Sequence, residues 1–118
     1  MANSDLNIQQ WHVVVVPFPY SDKLAEKRRL ALVISSDKFN NETGLLWVVM
    51  ITSTENIGLR GDVEIPNSGK SGLTTPSIIR TAKLATIERD RVVRAIGRLD
   101  LKTKTKVHRI LMETLVKK

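Results

Sequence analysis

Val13-Val14-Val15-Val16-Pro17-Phe18-Pro19-Tyr20, followed downstream by Lys27-Arg28-Arg29-Leu30-Ala31-Leu32-Val33-Ile34-Ser35, decides how this chain folds. Short apolar runs rich in β-branched residues, bounded by turn formers, read as strands. The first run predicts a strand over Val13–Pro17, buried on both faces because it is continuously apolar, and the second a strand over Leu30–Ser35. Pro17 and Pro19 close the first run, so Phe18–Arg28, with Ser21-Asp22 in it, reads as a loop. That loop delivers Lys27, Arg28 and Arg29 to a strand edge. A guanidinium presents a planar fork of donors that matches phosphate oxygens, which makes Arg29 the first candidate for handling a phosphodiester.

Outward from these runs, Asp37–Gly44 holds one helical turn broken by Asn40-Asn41 and Gly44. Leu45–Ile51 is a third strand with a polar end at Thr52-Ser53-Thr54, and a loop then runs to Gly61. Asp62–Ile65 alternates as a short strand, Pro66–Thr75 is a turn region, Ser77–Arg80 is a fifth strand, and Leu84–Ile87 extends the sheet. After a turn at Glu88–Arg91, Val92–Leu99 is a further strand, weakened at Gly97. The period then changes. Asp100 is placed as an N-cap, and Val107, Ile110, Leu111, Thr114 and Leu115 recur at helical steps, with Lys102, Lys104, Lys106 and Arg109 on the other face. The fold expected is mainly β with a C-terminal α-helix: a small, strongly bent sheet or barrel closed by that helix. The chain has 118 residues, which suits a single domain over 11–118 after a polar N-terminal tail at 1–10.

Net charge is +7, and the basic residues crowd the second half: from Lys70 onward there are thirteen Lys/Arg against four Asp/Glu. That asymmetry points to a polyanionic partner, RNA or DNA, and places Lys70 with Lys27 and Arg28 among the candidate nucleic-acid contacts. Phe18 is an aromatic near the first loop that a base could stack on. There is no cysteine, so disulfides and thiolate-bound metals are excluded. No secretory leader is visible, and no apolar run reaches the ~20 residues that cross a bilayer, so the expectation is a soluble cytoplasmic protein with no membrane role.

Walker-type glycine loops, zinc-ligand sets and carboxylate clusters are absent from the sequence, and neither a metal nor another cofactor is expected. His12 and His108 stand apart and read as structural or solvent-facing. Arginines and hydroxyls remain. RNA cleavage by the adjacent ribose 2′-OH needs no metal if donors stabilise the charge that develops on phosphorus, and Thr52 and Ser53, at the end of a core strand, are hydroxyls that a rigid element can hold.

Val15-Val16-Pro17-Phe18-Pro19-Tyr20-Ser21-Asp22 resembles the opening of the MazF/PemK (Kid) ribonuclease toxins, as do Lys27–Ser35, Phe39–Gly44, Ile51-Thr52-Ser53, Ser71-Gly72-Leu73, Pro76–Arg80, Thr86-Ile87 and Ile96–Leu99. The likeness runs over about residues 12 to 116 in the same order. It implies an SH3-like barrel of the MazF/PemK/CcdB type with a C-terminal helix, commonly a homodimer. It implies the toxin of a type II toxin–antitoxin system, held by a cognate antitoxin. The implied activity is a metal-independent, sequence-specific endoribonuclease that leaves a 2′,3′-cyclic phosphate and a 5′-OH on single-stranded RNA. The family's loop arginine falls on Arg29 and its strand-end threonine on Thr52; Ser53 matches a neighbouring hydroxyl, and Arg80 an arginine given a catalytic role in one branch.

Three departures stand out: Leu30 where the family has proline, Trp11-His12 where it has a glycine–acidic pair, and Ala82 where the branch using the second arginine has an acid. Arg80 is therefore kept chiefly as a phosphate contact. Arginine stays protonated and is a poor base, so Glu26, the nearest carboxylate in sequence to Arg29, is the candidate general base. Two other readings remain: a small barrel that binds RNA without cutting it, and a gyrase poison of the same fold. The second is opposed by the Leu115-Val116-Lys117-Lys118 end, which lacks the Trp-Gly-Ile terminus of that class.

Overall fold

A computed structural model describes residues 7–18, 27–66 and 69–116. The strands are β1 (His12–Phe18), β2 (Lys27–Val33), β3 (Leu45–Ser53), β4 (Asp62–Ile65), β5 (Ser77–Glu88) and β6 (Arg94–Arg98); the helices are α1 (Asp37–Thr43) and α2 (Leu101–Leu115). Short 3-10 turns lie at Thr54–Asn56 and Arg89–Arg91. The strands form one antiparallel sheet in the order β4-β5-β3-β2-β1-β6. The expected architecture, mainly β with a C-terminal helix, is what the chain adopts.

Side chains alternate between two buried faces, so every second residue of β1, β2 and β3 joins a different core. Val14, Val16, Ala31, Val33, Val48 and Met50 belong to one cluster, whereas Val13, Leu32, Val49 and Ile51 belong to the other. That two-sided burial explains the unbroken valine run in β1. Helix α2 covers the second cluster, with Val107 buried and Ile110 and Leu111 packed against it. Asp100 caps α2 as expected, accepting from the Thr103 amide at 3.4 Å. Helix α1 is framed by Ser36, whose Oγ accepts from the Phe39 amide at 3.1 Å, and by Gly44, left-handed at φ 74°.

The sheet is curled. β4 and β6 end the strand order on opposite sides, yet the connection from β4 to β5 reaches β6, where the Arg98 amide donates to the Lys70 carbonyl at 2.9 Å. Gly97 makes that approach possible: a Cβ there would stand 2.3 Å from the Ser71 carbonyl oxygen and 2.4 Å from that of Lys70. The result is a small half-barrel with a helix packed on one face.

Two expectations change. Lys27, Arg28 and Arg29 are not in a loop: β2 starts at Lys27 and pairs with β1 as Phe18↔Lys27, Pro17↔Arg28 and Val16↔Arg29. Pro17 does not end β1 because its nitrogen side costs no ladder bond. The Val15 carbonyl accepts from Val93, so by alternation Pro17 also faces the β6 side, beyond the Val15↔Arg94 pair where β6 pairing stops. The second change is that Ser77–Arg80 and Leu84–Ile87 belong to one strand, β5, in which the register jumps from Met50↔Arg80 to Val49↔Leu84. Thr81–Lys83 form the bulge between them.

Candidate active site

Pairing register brings the site residues together. β2 and β3 pair as Ala31↔Met50 and Leu30↔Ile51, where their ladder ends, and Arg29 and Thr52 are the next residues of the two strands. Thr52 pairs onward with Ile78, and Ile78 with Glu64. Val16 and Arg29 form one paired row and Thr52, Ile78 and Glu64 another, and the two rows meet just past the last β2–β3 pair, on one face. The adjacent row on that face contains Ala31, Met50, Arg80 and Asp62. Neighbouring strands at such a point are close enough for a long guanidinium side chain and a hydroxyl to reach one phosphate. Both Arg29 and Thr52 are half-buried, whereas Lys27 and Arg28 are exposed. The face is the one opposite α2.

Thr52 Oγ1 accepts a hydrogen bond from Asn56 Nδ2 at 2.9 Å. Ser53 is exposed and, by strand alternation, lies on the other face of β3; its Oγ accepts from the Glu55 amide at 3.2 Å and caps the Thr54–Asn56 turn. Arg80 donates through Nε to Asp62 Oδ1 at 3.2 Å, through Nη2 to Asp62 Oδ2 at 3.0 Å, and through Nη2 to the backbone carbonyl of Asn56. The side chains of Arg80 and Asp62 are only 15% and 3% exposed. Asp62 Oδ2 also accepts from the amides of Gly58 and Leu59, at 3.1 and 3.0 Å. Donation from Arg80, reinforced by those amides, holds the Asp62 carboxyl below its ordinary value despite burial, which acts the other way.

Arg80 does have an acidic partner, Asp62, but it comes from the neighbouring strand through Asp62↔Arg80 and not from position 82. No local spacing could have revealed it, because the partners are eighteen positions apart. Phe18 is 3% exposed and packs into the core, so its ring is not offered to solvent. Lys70 is exposed on the turn held against β6. Glu26 lies outside the described residues. His12 is buried beside Arg98, and its Nδ1 accepts from the Gln9 amide at 3.2 Å; burial first, and then the Arg98 charge, push its pKa down. Among the described residues, no three His, Cys, Asp or Glu side chains converge as a metal site requires.

The family described as PemK-like, MazF-like toxin of type II toxin–antitoxin system matches residues 9–115. This chain belongs to that family. The PemK/MazF-like fold is matched by the crystal structure of MazF from Deinococcus radiodurans at TM-score 0.76 and 23% identity, over 94% of this chain and 98% of that one. The MazE–MazF complex from the same organism matches at TM-score 0.73 and 22% identity, over 97% of this chain and 100% of that one. An endoribonuclease in complex with its cognate antitoxin, from a mycobacterial species, matches at TM-score 0.72 and 18% identity, over 92% and 94%. Comparison with curated proteins gave no match. No helix among the described residues of this PemK/MazF-like toxin is long and apolar enough to cross a membrane.

Proposed function

We propose that this PemK/MazF-like toxin is a cytoplasmic, metal-independent endoribonuclease acting on single-stranded RNA, and that Arg29 and Thr52 are its catalytic pair. The observation that supports the reading is the Leu30↔Ile51 pair of β2 and β3, because Arg29 and Thr52 are the next residues of those two neighbouring strands. In the reaction the ribose 2′-oxygen forms a bond to the adjacent phosphorus, the bond from phosphorus to the 5′-oxygen breaks, and the products are a 2′,3′-cyclic phosphate and a 5′-OH. The proton leaves the 2′-OH to a base, and the departing 5′-oxygen gains one. Arg29 and the Thr52 hydroxyl donate to the non-bridging oxygens, where charge accumulates in the transition state. Glu26 is kept as the base to be tested, Lys27, Arg28 and Lys70 as contacts along the RNA backbone, and Ser53 as a hydroxyl beside the reacting pair in sequence.

The partners proposed are RNA, a cognate antitoxin and a second copy of the chain. Structures of relatives with an antitoxin bound support the second, and an acidic, flexible segment that orders on binding suits a chain of net charge +7. A second copy suits the apolar groove of about 520 Å³ bordered by Trp11, Trp47, Leu84, Leu111, Met112 and Leu115. Incubating end-labelled single-stranded RNA with the purified chain in EDTA tests the activity, with the new ends mapped. Cleavage to cyclic-phosphate ends, lost in Arg29→Ala and Thr52→Val, is the expected result. RNA bound and shifted but never cut, even at high protein concentration, would leave a binding module instead.

A further inference from the structure

We propose that Asn56 is a positioning residue that aims the Thr52 hydroxyl, and that Arg80 and Asp62 serve to hold Asn56. The proposal rests on the reading that Thr52 takes part in phosphodiester cleavage. A hydroxyl has one proton and two lone pairs. Asn56 Nδ2 donates to Thr52 Oγ1 at 2.9 Å, so one lone pair is engaged and the Thr52 proton cannot point back at Asn56. It is left to donate to another acceptor, such as a phosphate oxygen bound on the face of β3 that Thr52 occupies. Without the amide, a threonine hydroxyl turns readily to nearby backbone carbonyls.

Asn56 in turn is held from several sides. It ends the 3-10 turn that Ser53 Oγ caps through the Glu55 amide, and the Ile57 amide closes that turn on the Thr54 carbonyl at 3.0 Å. Its own carbonyl accepts from Arg80 Nη2. Asp62 grips the Arg80 guanidinium at two nitrogens and binds the amides of Gly58 and Leu59, the loop that follows Asn56. Asp62, Arg80, Asn56 and Thr52 thus form a continuous chain of hydrogen bonds from a buried carboxylate to a surface hydroxyl. Arg80, which the sequence suggested as a phosphate contact, has Nε and Nη2 committed inside the protein.

The test is a cycle in single-turnover cleavage of labelled RNA: wild type, Asn56→Asp, Thr52→Val and the double variant. Asn56→Asp keeps the side-chain shape but replaces its donors with an acceptor-only carboxylate, so a packing role would survive it. Reversing that one hydrogen bond should lower the cleavage rate about tenfold while binding of a non-cleavable 2′-deoxy analogue stays unchanged. In the Thr52→Val background the same substitution should do nothing more. Additive losses, a loss of binding alone, or an unchanged rate in Asn56→Asp would overturn the relay while leaving Thr52 in its role. A wild type that does not cut, or Thr52→Val at the wild-type rate, would overturn the catalytic reading of Thr52 and the relay with it.

Discussion

Arg29 was conspicuous as the last of three cations before an apolar run, but its setting was not. A loop arginine would owe its position to the residue after it, where the family has proline and this chain has Leu30. In the structure Leu30 pairs with Val15 on one side and Ile51 on the other, so the backbone beside Arg29 is set by two ladders, which makes the proline's rigidity unnecessary. Arg29→Ala should therefore cost about 10²–10³ in cleavage rate, as losing one such donor does elsewhere, with melting temperature nearly unchanged. Arg29→Lys should recover RNA binding more than rate, because an ammonium lacks the planar fork. His12 makes a second case. Its pKa lies below the ordinary 6.5, chiefly through burial, so as pH falls from that value the unfolded chain takes up a proton before the folded one does. Its neutral form supports the fold fully above about 6.5, and that contribution is lost as pH falls below it. Thermal melts from neutral to mildly acidic pH should show a falling midpoint, with a shallower slope in His12→Gln; equal slopes would remove His12 as the cause.

At the scale of elements, the signals that were legible were local ones. Asp100 announced α2, and Asp62–Ile65 emerged with the boundaries its alternation suggested, because a cap and a two-residue period are written in neighbouring residues. The merged β5 and the extended β2 were hidden because partners decide them: β1 carries β2 back to Lys27, and β3 spans the bulge in β5. Gly97 shows the same division. In sequence it looked like a weakness in a strand, whereas in the fold it is where the turn carrying Lys70 and Ser71 lands on β6. Replacing it with alanine pushes a methyl against backbone, which cannot swing aside as a side chain would. Gly97→Ala should lose about 1–3 kcal/mol, against about 1 kcal/mol for Asp100→Ala. Urea unfolding of the two variants gives the comparison, and a Gly97→Ala loss smaller than that of Asp100→Ala would mean that the turn moves away freely.

Across the whole molecule, the sheet-plus-helix class could be read from the order of short strands and the terminal change of period. The candidate site could be read only in part, since the neighbouring strands that carry Arg29 and Thr52, and the Asp62↔Arg80 pair, exist only once strand order and register are set. One large-scale feature was read differently in the sequence. Leu115 was placed on the core-facing stripe of α2, yet it is 67% exposed, at the rim of the groove that also contains Trp47 and Leu84. Two copies meeting there would each bring a net charge of +7, so their association must draw on apolar burial against like-charge repulsion. Salt then acts with opposite sign on the two proposed partners. Added salt screens the repulsion and should tighten self-association. The same salt should weaken RNA binding, with a logarithmic slope of about −0.7 per phosphate neutralised on a single strand. Sedimentation equilibrium and RNA titration over one salt series read both effects in the same protein. Leu115→Glu, on an exposed position, should shift the chain toward monomer without lowering its melting temperature in dilute solution. A self-association that dissolves in salt, or one indifferent to Leu115→Glu, would move the contact between copies from this apolar groove to a charged face.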